Sequence, residues 1–146
     1  MNRISEYLDA LVLRMKRRAL LGGVRFIRAY SNERMEHPVR GFIAVVGVTN
    51  ARQSQAFVGE HLTSSLSGER CRATAEIRVY APAGGNGAGL SACVFELMNA
   101  LREEDSEGLL SDISAGSIEF DQNSSVVYRR LSFSMDFCVC GEGEYE

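Results

Sequence analysis

Tryptophan is absent from this chain, and proline and histidine occur twice each among its 146 residues. A proline-poor composition with 45% hydrophobic and 24% charged residues excludes a disordered or low-complexity protein. Long apolar runs are missing too: stretches such as Phe42 to Val46 fall far short of the ~20 residues needed to cross a bilayer. Glu6 and Asp9 interrupt the N-terminal region where a signal peptide would be free of acid. A soluble protein made in a cytoplasm is therefore expected, with no membrane partner. The four cysteines, Cys71, Cys93, Cys138 and Cys140, form no C-x-x-C pair. The last two would share one face of a strand, and neither His37 nor His61 lies beside a cysteine in sequence. A structural zinc site needs four ligands in tetrahedral array. Reduced cysteines acting as small apolar residues are the simpler expectation. His37 precedes Pro38 in a polar stretch, and no Gly-x-Ser-x-Gly elbow exists. These shortages leave no catalytic set and no metal site legible along the chain.

What is present is unevenly charged. Residues 1–40 carry nine Lys or Arg against four acids, and the remainder carries seven against fifteen, within a net charge of -3. Such polarity suits stacking with copies of the same chain, although a solvated surface produces the same count.

Periodicity predicts an α+β fold in one domain over residues 1–140, with 141–146 (GEGEYE) as a loose tail. Ile4, Leu8, Leu11 and Met15 form one helical stripe across residues 3–20, with Asn2 as a candidate cap and Gly22-Gly23 as the stop. Arg14, Lys16, Arg17 and Arg18 fall in the last turns of that helix, where the dipole favours cations. Nucleic-acid binding is the sharper reading of this run; no aromatic residues interleave with it, so no specific nucleic-acid partner is expected. Val24–Tyr30 reads as a short strand, 31–40 as a loop, and Gly41–Thr49 as a strand apolar on both faces. A polar connection, Asn50–Ser54, leads to a second β-like run, Ala56–Leu62, and 64–69 reads as turn-rich. Cys71–Ala81 alternates strictly: Ala73, Ala75, Ile77 and Val79 face one way, and Arg72, Thr74, Glu76, Arg78 and Tyr80 face the other, more polar way. A helix follows over 87–105 with Leu90, Val94, Leu97, Met98 and Leu101 on its covered side. Its exit is acidic (Glu103, Glu104, Asp105, Glu107), against the helix dipole, which predicts a solvated, frayed end rather than a metal site. Strands over 110–120 and 127–139, joined by a turn at Asp121–Ser124, complete a mixed, mostly antiparallel sheet carrying the two helices.

Between the best strand and the second helix lies 80-YAPAGGNGAGLS-91. Gly84, Gly89 and Ser91 fall on a Walker frame, but Leu90 stands where the phosphate-binding lysine belongs. A G-x-G-x-x-G frame started at Gly85 also fails at Leu90. Leu90 belongs to the apolar stripe, so the glycines are expected to permit a tight or flexible strand-to-helix crossing, with Asn86 as the helix cap.

The run 71-CRATAEIRVYAPAGGNGAGLSACVFELMNAL-101, followed by 126-VVYRRLSFSMDFCV-139, resembles the small tail-terminator (tail-completion) proteins of long-tailed bacteriophages. The resemblance covers roughly residues 1–140. It rests on the opening amphipathic helix, a strand ending in VYAP, a glycine-bearing loop, one helix laid on the sheet, and a long final strand. The loop is longer and denser in glycine than that pattern. The resemblance implies a homo-oligomeric ring, a hexamer, that caps the finished tail tube and offers a docking surface to the head-tail connector protein. It implies a structural protein that is not an enzyme and needs no cofactor, partners in the tail-tube protein and the connector, a place in the virion tail, and assembly in the cytoplasm of a bacterium carrying the phage as a prophage. Candidate contact residues are Arg14, Arg17, Arg18, Arg34, Arg40, Gly85, Asn86 and Gly87. Two alternatives stand beside this reading: another phage morphogenesis part, such as a head-tail connector or baseplate subunit, or a small anion- or nucleotide-binding domain using the Gly84–Gly89 loop.

Overall fold

In the computed structural model, which describes residues 3–29, 39–55, 68–123 and 125–140, two helices lie on one face of a five-stranded sheet. The elements are α1 (Arg3–Lys16), β1 (Arg25–Arg28), β2 (Ile43–Gln55), β3 (Gly68–Tyr80), α2 (Leu90–Glu104), β4 (Leu110–Asp121) and β5 (Val126–Cys140). Their order across the sheet is β1-β2-β3-β5-β4. β1 and β2 pair in parallel, and the other three pairs are antiparallel. The expected α+β class, with an N-terminal helix and a central helix on a mostly antiparallel sheet, is what the chain adopts.

The core follows from the two periodicities. Leu8, Leu11 and Met15 of α1 and Leu90, Val94, Leu97 and Leu101 of α2 are completely buried. They press on Ala73, Ala75, Ile77 and Val79 of β3 and on Leu131, Phe133 and Met135 of β5. Burying each large side chain contributes roughly 1.5–3 kcal/mol. The run of small residues on β3 lets the helices approach the sheet centre closely.

Several expectations need correction. α1 ends at Lys16, and a separate 3-10 turn follows at Ala19–Leu21, so the first helix is shorter than its hydrophobic stripe suggested. The polar segment Asn50–Ser54 is not a connection: it continues β2, with a register shift between Val48 and Asn50. Ladder hydrogen bonds to β3 override its weak strand propensity. Gly68 and Glu69, expected in a turn, begin β3. Tyr80 is not on a merely polar face. It is buried, stacks on Tyr128 with ring centroids 5.1 Å apart, and joins Ile27, Val39, Ile43 and Val126 in a second, smaller cluster on the far side of the sheet. Asn2, His37, His61, Ala56–Leu62 and the tail 141–146 lie outside the described residues.

The turn at Asp121 closes the β4–β5 hairpin: Asp121 Oδ1 accepts from Asn123 N–H (2.8 Å), and its carbonyl accepts from Ser125 N–H (2.8 Å). Among the described residues no helix is long and apolar enough to cross a membrane.

Candidate assembly surfaces

The basic end of α1 faces the acidic exit of α2. Arg14 donates to the Glu104 carbonyl through Nε (3.1 Å) and Nη2 (2.9 Å). Arg18 binds Glu104 Oε2 and Glu96 Oε2, each at 3.1 Å, and Glu103 Oε1 at 2.9 Å. The hydrogen bond that Arg18 donates to Glu96 leads those that hold its guanidinium above its ordinary pKa. Arg14 of α1 and Arg18 just beyond it thus sit on the negative end of α2, the favourable dipole arrangement. The acids that the dipole disfavours at the end of α2 are matched from across the fold, which spacing within one helix cannot reveal. Asp105 completes this end. It accepts from the Tyr7 hydroxyl and from the amides of Leu109 and Leu110, both at 3.0 Å. Burial, then the hydrogen bond to Asp105, pushes the Tyr7 phenol above its usual pKa.

This arrangement re-sorts the candidate contact residues. Arg14 and Arg18 are half-buried and engaged internally. Arg17 and Arg40 are exposed, and Arg34 lies outside the described residues. Gly85 and Asn86 are exposed at the loop tip, while Gly87 is half-buried. Of the described candidates, Arg14 and Arg18 lie at the C-terminal end of α2 and the glycines precede its N-terminus, so these do not form one site.

The glycine loop is a folded turn. Gly84, Asn86, Gly87 and Gly89 all have positive φ, and Ala88 N–H and Leu90 N–H close turns onto the carbonyls of Gly85 (2.9 Å) and Gly87 (3.0 Å). Ala83 N–H ties the loop to the Val39 carbonyl at 2.8 Å. Asn86 is not the helix cap. That position belongs to Gly89, at φ 81° and without a side-chain cap. A Cβ on Gly87 would stand 2.8 Å from Val127 Cγ2, so glycine allows the loop to lie against β5. With Leu90 buried, no side-chain cation occupies the lysine position of a phosphate loop.

The remaining chemistry lies at the sheet edges, which sequence periodicity could not identify. Among the described residues β1 and β4 each have one strand neighbour. On the β4 edge Ile118 and Phe120 point to the helix side and are 52% and 60% exposed. Phe95 of α2 is similarly exposed beside them, under the Arg129 guanidinium (5.7 Å to the ring centroid). β4 carries Asp112, Glu119 and Asp121 and no basic residue. The β1 edge carries Arg25 and Arg28 and no acid. Beside β1 runs a groove of about 230 Å³ lined by Val12, Leu13, Phe26 and Ile27, with Asp9, Lys16 and Arg28 around it. Leu13 is 53% exposed there.

On the far face of the sheet a depression of about 300 Å³ is lined by Ile27, Val45, Gly47, Glu76, Arg78 and Tyr80. Arg78 Nε and Glu76 Oε1 pair at 3.1 Å within it. A third hollow, about 350 Å³, lies between Leu20, Val24, Phe42, Ala92 and Cys93. Burial pushes the Cys93 thiol up to about 11, the opposite of an activated nucleophile. Among the described residues no group of three or more His, Cys, Asp or Glu is placed to hold a metal ion.

No family model and no curated protein matches the chain. A solved structure of a protein whose name states no activity aligns over 95% of this chain and 96% of its own, at 14% identity and a TM-score of 0.49. A likeness at that level carries no argument about function.

Proposed function

We propose that this chain is a ring-forming phage tail terminator: an assembly subunit that caps the tail tube and offers a docking surface to the head-tail connector. The observation that carries the reading is the pair of unlike sheet edges among the described residues, an acidic β4 with protruding apolar side chains and a basic β1 beside an apolar groove. A subunit that contacts its copies through two different surfaces makes head-to-tail interfaces, which close into a ring when the rotation permits. The tail-tube role comes from the resemblance of residues 71–101 and 126–139 to tail terminators, with six subunits the expected ring and the virion tail the expected location. The glycine loop closes two turns of its own and lies against Val127, which fits a structural strand-to-helix crossing.

Sedimentation velocity and light scattering on the full chain, alone and with tail-tube protein, test the reading. A closed oligomer that halts tube growth is expected. A chain that stays monomeric and leaves tube polymerisation unchanged overturns it.

A further inference from the structure

We infer that the subunits join by sheet continuation, with residues Ile118–Asp121 of β4 pairing antiparallel to β1 of a second copy of this chain. The inference rests on the ring reading above and names its contact surface.

Strand direction comes first. β1 and β2 run together, and three antiparallel steps, through β3 and β5, lead to β4. β4 therefore runs opposite to β1. Copies set side by side in the same orientation bring β4 against the next β1 as an antiparallel pair. Both helices of every copy then stay on one side of the extended sheet.

Length comes next. The register of β4 slips between Ser111 and Ser114 and again between Ala115 and Ile118, whereas Ile118 to Asp121 pair without interruption. The regular part of β4 is thus four residues long, the length of β1. Bulges block pairing of an exposed edge, so β4 is protected except over this stretch.

The two faces select the register. Ile118 and Phe120 lie on the helix side, opposite Arg129 and Val127 of β5. Phe26 and Arg28 of β1 lie on the same side, as Phe26 joins the main core and Arg28 pairs with Asp9 of α1. Glu119, Asp121, Arg25 and Ile27 take the other side, for Glu119 stands opposite Tyr128, Asp121 opposite Val126 and Arg25 opposite Ile43. A slip of one residue would swap every side chain to the wrong face. The face-matched register that uses all four residues sets Asp121 against Arg25, Phe120 against Phe26, Glu119 against Ile27 and Ile118 against Arg28. Phe120 and Ile118 then meet the groove of Val12, Leu13 and Phe26, covering three exposed large apolar side chains at once. One direct charge pair results, Asp121 against Arg25, while Glu119 and Arg28 keep the partners they have in their own chain, Arg130 and Asp9.

The test uses the full chain. Phe120→Asp is expected to weaken oligomerisation about thirtyfold or more, with an unchanged circular-dichroism spectrum, because the side chain is exposed in the subunit. Arg25→Asp and Asp121→Arg should each weaken the oligomer, and the two combined should restore it. Independently of these folding-sensitive changes, Arg25→Cys with Asp121→Cys should oxidise to covalent multimers, whereas Arg25→Cys with Asp112→Cys should not. A wild-type oligomer that Phe120→Asp leaves intact, or that fails to cross-link at 25 and 121, overturns this interface while the ring reading survives. A wild-type chain that is monomeric at every concentration overturns both.

Discussion

Gly87→Ala probes how the strand-to-helix crossing is built. The residue has φ 80°, where an L-residue costs about 1–2 kcal/mol. The added methyl would also stand 2.8 Å from Val127 Cγ2, so β5 or the loop must shift, at a cost typical of overpacking, about 1–3 kcal/mol. Loss of unfolded-state freedom offsets about 0.4–1 kcal/mol. The net expectation is about 2–4 kcal/mol. Gly84 has nearly the same backbone, φ 85°, but open space around the missing Cβ. Gly84→Ala should therefore cost only about 1 kcal/mol from the same strain and entropy terms. With an unfolding entropy near 2.1 cal/mol/K per residue, a chain of 146 residues loses about 3 °C in Tm per kcal/mol. That predicts roughly 7–13 °C for Gly87→Ala and about 3 °C for Gly84→Ala. Urea titration and thermal melts would measure both. Val127→Ala, which removes the methyl in the way, should recover part of the Gly87→Ala loss by about 1 kcal/mol or more in a double-mutant cycle. Equal losses at 84 and 87, or strict additivity with Val127→Ala, would refute the close-approach argument.

Tyr7→Phe removes a hydrogen bond to a carboxylate and should cost about 1.5–3 kcal/mol at neutral pH. Because the folded phenol titrates above its unfolded value near 10, its contribution is complete below pH 10 and fades as pH rises through the folded pKa; the gap between wild type and variant in urea melts should narrow accordingly. Asp105→Ala strips the acceptor from Tyr7 and from two amides, so a loss of about 2–4 kcal/mol by urea titration is expected. Leu97→Ala, at a completely buried site, should cost about 2–5 kcal/mol, whereas Ile118→Ala on the exposed β4 edge should stay within about 0.5 kcal/mol for the isolated subunit. Alkylation of Cys93 should be slow at pH 8, where a thiol of pKa about 11 is only about one-thousandth thiolate, and should rise nearly tenfold per pH unit towards that value. Mass spectrometry of the modified peptide reads this; rapid labelling at neutral pH would contradict it.

The fold was largely legible because its signals are local. Alternation along 71–81 and the stripe from Leu90 to Leu101 each state which side is buried, and β3 and α2 obey them. The element boundaries were less legible. Asn50–Ser54 looks like a connection in isolation, yet the long β3 supplies it with a ladder partner. Tyr80 sits at an outward position, yet Tyr128 and Val39 cover it from segments remote in sequence. The candidate surfaces were hardest to find. Ile118 and Phe120 read as ordinary strand residues until the sheet order places β4 at an edge.

By itself the sequence determined the class of fold, the two helical faces, the central strand and the leucine that stands at the lysine position of a phosphate loop in 80-YAPAGGNGAGLS-91, since each depends on residue type and spacing along one element. Only the tertiary structure decided that Arg14 and Arg18 serve the acidic end of α2, that Gly87 is needed against Val127, and which strands lie at the edges. Those outcomes depend on distances between segments as much as 90 residues apart. Periodicity carries no information about such distances until packing brings the segments together.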